Sequence, residues 1–107
     1  VDIYIINKGT LAESYAIHLT RKLRSLNVLT ELDLSGASFS KQFKKANRYK
    51  ARGVIIVGDD EAYEGVYTIK LFNENLENNQ ELKIPFDNNE LLIDWINKYL
   101  LSNLQNI

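Results

Sequence analysis

The sequence predicts a three-layer α/β domain, built on a five-stranded mixed sheet in the order 2-1-3-4-5 and carrying three helices. Three observations predict it. Residues 1–6 and Gly53–Gly58 are runs of β-branched and aliphatic residues, as strands buried on both faces require. In the first half of the chain, amphipathic helical patterns alternate with strand-like runs. That order calls for right-handed crossovers and parallel strands. The second half has two strand-like runs joined by a polar stretch, which calls for an antiparallel hairpin. A chain of 107 residues, 45% of them apolar, supplies one core and one domain.

The elements follow in order. The opening strand ends at Gly9-Thr10. Thr10-Leu-Ala-Glu13 has the form of a capping box, and Ala12, Tyr15, Ala16, Leu19, Leu23 and Leu26 recur at helical spacing, predicting a helix over 11–26. Residues 28–34 read as the second strand and Ser35-Gly36-Ala37 as a loop. Ser38 is placed to cap a second helix that runs to Tyr49, with Phe39, Phe43 and Ala46 on its apolar face. At about 100° per residue, Lys41, Lys44, Lys45, Arg48 and Arg52 fall within one arc of roughly 100°. After the third strand, Asp59-Asp60-Glu61 opens what reads as an acidic turn ending at Gly65. Residues 66–72 alternate, with Tyr67, Ile69 and Leu71 on one face and Thr68 and Lys70 on the other. An Asn- and Glu-rich hairpin loop over 73–79 leads to a short strand over 81–86, whose Pro85 marks a sheet edge. Asp87-Asn-Asn-Glu90 reads as another capping box, followed by Leu92, Trp95, Ile96, Tyr99, Leu100 and Leu104 as the last helix. The direction change after the first helix puts the two crossover helices on opposite faces. Strands 1–3 are expected parallel and strand 4 antiparallel to strand 3. There is no internal repeat.

Composition excludes several classes. Without cysteine there is no disulfide scaffold, cysteine zinc site or thiol nucleophile, which fits a reducing compartment and a cytoplasmic location. No apolar run approaches the ~20 residues of a membrane span, and no signal peptide is visible. The chain has no methionine and opens directly into a strand-like run, so it is expected to be a piece of a longer protein; loss of an initiator Met is the alternative. The net charge of −1 hides an asymmetry. Residues 1–52 carry ten Lys/Arg against four acids, and residues 53–107 three Lys against ten acids. A bipolar surface of this kind suits a partner with a strong field.

The chemistry points to binding rather than catalysis. No Gly-x-Gly-x-x-Gly or Walker-type loop follows a strand. A phosphoacceptor receiver of this fold class needs a carboxylate pair at the end of strand 1, where this chain has Ile5-Ile6-Asn7-Lys8. His18, the only histidine, sits beside Arg21 and Lys22 and has no serine or cysteine to activate, so it reads as a surface residue. Taken alone, the acidic run and the basic helix face are ordinary solvated features. Phe39, Tyr49 and Tyr67 lie close in sequence to the cations, however, and aromatic and basic groups together suit single-stranded RNA loops.

Three stretches carry a resemblance: residues 33–44 (Asp-Leu-Ser-Gly-Ala-Ser-Phe-Ser-Lys-Gln-Phe-Lys), residues 51–61 (Ala-Arg-Gly-Val-Ile-Ile-Val-Gly-Asp-Asp-Glu) and residues 65–70 (Gly-Val-Tyr-Thr-Ile-Lys). Together with the opening Val1-Asp-Ile-Tyr, they resemble the C-terminal anticodon-binding domain of histidyl-tRNA synthetases, over most of the chain and in the same order. Lys41-Gln42-Phe43 points to the histidine enzymes, whereas the Gly-x-x-Glu at Gly58–Glu61 is shared with the threonine, proline and glycine enzymes. The resemblance implies a tRNA partner with the GUG anticodon and no membrane association. In a homodimeric parent it implies a separate catalytic domain holding ATP and Mg. Within this domain it implies no catalytic residue, no metal and no cofactor. It further implies that Glu61 and Lys70 read bases, with Thr68 on the same strand face as Lys70 in the RNA-binding set, and that Ser35, Gly36, Ser38, Lys41, Gln42 and Lys44 meet the RNA backbone or bases. One position departs. Family members usually carry Gly where this chain has Lys50, so the helix is expected to stop at Tyr49, with Lys50 left-handed or in a reshaped turn. Two other classes stay open on the residues alone. One is a non-catalytic synthetase paralogue or regulatory subunit, against which the retained Glu61 and Lys41-Gln42-Phe43 argue. The other is a small-molecule enzyme of flavodoxin-like shape, which lacks a phosphate loop.

Overall fold

In this computed structural model, which describes residues 1–71 and 81–101, the chain begins β1 (Ile3–Lys8), α1 (Thr10–Ser25), β2 (Thr30–Leu32), α2 (Phe39–Arg48), β3 (Gly53–Gly58). It continues α3 (Asp59–Glu64), β4 (Val66–Leu71), β5 (Glu81–Pro85), α4 (Asn89–Ile96), and α4 runs on into a π-helical turn, Asn97–Leu101. The strands form one sheet in the order β2-β1-β3-β4-β5. β1 is parallel to β2 and β3, and β4 is antiparallel to both β3 and β5, as the sequence pattern predicts. The predicted hairpin loop over 73–79 and Leu104 lie outside the described residues.

Alternation along β1 assigns the two faces. Ile3 and Ile5 join Leu19 and Leu23 of α1 and Leu92, Trp95 and Ile96 of α4 in the larger core. Tyr4 and Ile6 point the other way and pack with Ala46, Phe39 and Phe43 of α2. The two crossover helices therefore lie on opposite faces. The larger core also takes Tyr67, Ile69 and Ile84, so α1 and α4 cover the full width of their face.

Four local expectations are corrected. The described residues hold four α-helices rather than three, because the supposed acidic turn is α3. Its three acids stand in the first turn, where the helix dipole favours negative charge, and left-handed Gly65 (φ 76°) ends it. The second strand is only three residues long: Asp33 N still donates to Ile5 O (3.1 Å), and the chain leaves the sheet after it. Thr10 does not cap α1: it is the first helical residue, and the Asp59 carboxylate accepts a hydrogen bond from Ala12 N (3.1 Å) instead. Asp59 lies over Gly9, in the space that a side chain there would fill. At α4 the cap is Asn88, not Asp87, and it accepts from Leu91 N (3.1 Å). The expectations for the two ends of α2 hold. Ser38 Oγ accepts from Lys41 N (3.3 Å), the helix ends at Tyr49, and Lys50 is left-handed at φ 55°.

Candidate nucleic-acid interface

Strand registers lay out the face that carries α2. Residues paired across neighbouring strands point to the same side of a sheet. One row runs Ile6, Ile56, Thr68, Lys83, and the next runs Tyr4, Val54, Lys70, Glu81. The apolar cluster under α2 takes the β1 and β3 members of these rows and no residue of β4 or β5. Among the described residues, then, α2 packs on only half of this face, and the other half carries Thr68, Lys70, Lys83 and Glu81. Thr68, expected in the RNA-binding set, is only 4% exposed and presents almost no surface to RNA, whereas Lys70 is half-buried and Glu81 and Lys83 are exposed. The sequence reading missed Lys83. Alternation along β5 hints at it, but the nine residues between the strands set no register, so its place opposite Thr68 is not legible.

Glu61 stands at the upper rim of this surface. A β-carbon built on Gly58 would lie 2.7 Å from Glu61 Oε2 and 3.5 Å from Phe39 Cζ, so the carboxylate occupies the space a side chain would take. Gly58 has extended backbone (φ −96°, ψ 174°) that any residue adopts; the glycine is there for room.

The loop from Asp33 to Ser38 is held from below. The buried Asp33 carboxylate accepts from Tyr4 OH (2.6 Å), Ser35 N (2.9 Å) and Ser35 Oγ (2.5 Å), and Ser35 Oγ in turn accepts from Ala37 N (3.1 Å). Burial pushes the Asp33 pKa up, but hydrogen bonds from Ser35 and Tyr4 and the nearby Lys45 outweigh it, and the carboxyl sits below its ordinary value. Burial, followed by the bond to Asp33, holds the Tyr4 phenol well above its usual range. Lys8 Nζ donates to Gly36 O (3.2 Å). Ser35, placed in the RNA contact set by the resemblance, thus spends its hydroxyl inside the loop. Gly36 and Ser38 are exposed.

Gln42 is the clearest difference from the expected contact set. It is 0% exposed and its amide faces the protein, so it presents no surface to RNA. The basic face also divides. Lys41, Lys44 and Arg48 are exposed. Lys45 and Arg48 line a 240 Å³ cleft with Asp33, Glu31 and Tyr49. Arg52 is not part of this face. It lies beyond the helix, donates to Leu100 O (2.9 Å) and Tyr99 O (3.1 Å), and stands 3.8 Å from Asp2. His18 is exposed. Among the described residues no group of three or more His, Asp and Glu side chains could hold a metal, and no helix is long and apolar enough to cross a membrane.

The arrangement is a sheet face half covered by a basic helix and bordered by a pinned loop and a carboxylate rim. The family model described as "Anticodon binding domain" matches residues 1–95. The chain belongs to the anticodon-binding domain family. Relatives with the same domain include the histidine–tRNA ligases of Prochlorococcus marinus strain MIT 9301, 57% identical over 100 residues, and strain AS9601, 56% identical over 100 residues. Each match takes in 94% of this chain and 24% of the relative, so the chain spans about a quarter of their length. Among solved structures, apo S. aureus histidyl-tRNA synthetase matches with a TM-score of 0.68 and 26% identity, over 81% of this chain and 21% of that one. Histidyl-tRNA synthetase from Nostoc sp. PCC 7120 shares the fold of this anticodon-binding domain, with a TM-score of 0.72 and 21% identity over 94% of this chain and 21% of that one.

Proposed function

We propose that this domain binds the anticodon loop of the histidine tRNA for a parent histidine–tRNA ligase, whose ATP and Mg chemistry resides outside this chain. The observation that carries the reading is the half of the sheet face that α2 leaves uncovered, with cations (Lys41, Lys44, Lys70, Lys83) around it, Glu81 on its outer strand and Glu61 at the rim beside Gly58 and Phe39. Cations suit the phosphates. Glu61, unlike Glu81 on the outer strand, sits against Gly58 at the start of the basic helix, where a carboxylate is suited to accept hydrogen bonds from a base. Guanine offers N1–H and N2–H₂ side by side, matching two carboxylate oxygens, and the GUG anticodon supplies two guanines. The high identity to histidine–tRNA ligases supports the histidine assignment. A homodimeric, cytoplasmic parent belongs to the same proposal.

Salt dependence tests it. If Lys41, Lys44 and Arg48 neutralise about three phosphates, log K should fall with log salt with a slope near −2, at roughly −0.7 per phosphate. Lys41→Glu with Lys44→Glu should flatten the slope by more than half. Binding that ignores salt, or that survives the double reversal, refutes the proposal.

A further inference from the structure

The side chain of Gln42 is fully buried and bonds two pieces of main chain, one 35 residues back and one five residues back. Its Oε1 accepts from Asn7 N (2.9 Å). Its Nε2 donates to Asn7 O (2.7 Å) and to Ala37 O (2.8 Å). The acceptor and both donors of the amide are therefore in use.

Strand geometry explains the pairing. In a parallel ladder the N–H and C=O of one residue point to the same neighbour, and residues two apart share that direction. Ile5 O accepts from Asp33 N on the β2 side, so the backbone of Asn7 also points to the β2 side. β2 has left by then: Leu32 is its last residue, and Leu34 is 73% exposed. The primary amide of Gln42 takes the place of the missing strand residue, giving Asn7 both of the bonds a continuing β2 would have given. Because the amide completes the ladder, the chain is free to lift away after Asp33 and to start α2 above the sheet. The third bond, to Ala37 O, fixes where the lifted loop comes down. Asn7 reinforces this, since its Nδ2 donates to Asp33 O (2.8 Å).

We infer that Gln42 is a positioning residue for RNA recognition: it touches no RNA, but sets the height and orientation of Gly36–Ser38 and of the first turn of α2, including Lys41. This rests on the proposed anticodon-binding function and assigns Gln42 a role different from contact. A residue that only filled the core could be replaced by an apolar side chain of similar length without changing how the folded protein binds. A positioning residue cannot, because its donors set the loop.

The test uses the 107-residue chain, histidine tRNA and two variants. Gln42→Met keeps length and loses all three bonds. Gln42→Glu keeps shape, and in its charged form the oxygen that replaces Nε2 faces the carbonyls of Asn7 and Ala37. Burial and those carbonyls raise the pKa of this new carboxyl. Once protonated, it can again donate to one carbonyl and accept from Asn7 N. Fraction folded is followed by circular dichroism and binding by titration, with wild type at every pH as control. Asp33, held below the ordinary carboxylate range, stays ionised from pH 5.5 to 8.

In the folded protein, Gln42→Met should bind about tenfold more weakly, the scale for re-ordering a short loop on binding. Gln42→Glu should bind about tenfold more weakly at pH 8 and recover toward wild type by pH 5.5. If Gln42→Met does not fold, the pH recovery of Gln42→Glu decides. Folded variants that bind as wild type, or a Gln42→Glu deficit unchanged across pH, overturn the inference and leave the anticodon reading standing. A wild-type chain that does not bind tRNA overturns both.

Discussion

Gly58→Ala should separate recognition from stability. A β-carbon at this position would meet Glu61 Oε2 at 2.7 Å, against the 3.5 Å or so of a comfortable contact, so the carboxylate must retreat by roughly 0.8 Å. The other contact, Phe39 Cζ at 3.5 Å, is already ordinary, and the backbone at φ −96° accepts alanine. What yields is the free end of a flexible side chain, which is cheap. Alanine also removes freedom from the unfolded chain, worth about 0.4–1 kcal/mol. Net stability should therefore change by less than about 1 kcal/mol. A bidentate carboxylate–base contact is worth about 1–3 kcal/mol of discrimination, and a displacement approaching 1 Å removes much of it. The assay is binding of a GUG stem-loop and its inosine-substituted forms, inosine lacking the guanine N2 amine, with thermal unfolding in parallel. Wild type should prefer guanine. Gly58→Ala should lose most of that preference while melting close to wild type. In a Glu61→Ala background, Gly58→Ala should add nothing, because the group it displaces is gone. Unchanged discrimination in Gly58→Ala, or an equal further loss in the Glu61→Ala background, refutes the reasoning.

Three further outcomes follow from the same geometry. Asp33 ionises below its ordinary 3.8 in the fold, so its stabilisation is complete above the unfolded value and is lost as pH falls through the folded one. Asp33→Asn should therefore cost stability at neutral pH, by a margin that shrinks on acidification below about 4; a pH-independent deficit in chemical unfolding refutes the assignment. Arg52→Ala should lower stability by about 1–3 kcal/mol through its lost bonds to Leu100 and Tyr99, and should leave the salt slope of tRNA binding as in wild type. A flattened slope would return Arg52 to the RNA face. Lys50→Gly should stabilise by up to about 1 kcal/mol, since φ 55° strains a residue with a β-carbon, whereas Lys50→Ala should not; equal melting shifts for the two would show that the strain is absent.

Local pattern and one-dimensional spacing were enough to determine the strand order, the direction of β4, the opposite placement of α1 and α2, the Ser38 cap and the stop at Tyr49. Each follows from a period, a punctuating residue or the handedness of a crossover, and all of these are written along the chain. Recognition of Asp33–Lys44 and Ala51–Glu61 likewise needed only residue order. Pattern failed where a residue's neighbour lay far away in sequence. Thr10 and Glu13 have capping-box form, but Asp59, 47 positions from Ala12, reaches the helix end. Gln42 beside two lysines reads as a surface contact, yet its partner is the end of β1, 35 residues back. Arg52 continues the basic stripe in projection, but the left-handed Lys50 ends the helix before it and turns Arg52 toward Leu100 and Tyr99. Lys83 joined the site only through its register with Thr68. A buried polar side chain is placed by the unpaired backbone it must satisfy, and which backbone is left unpaired is decided only when the strands and helices meet.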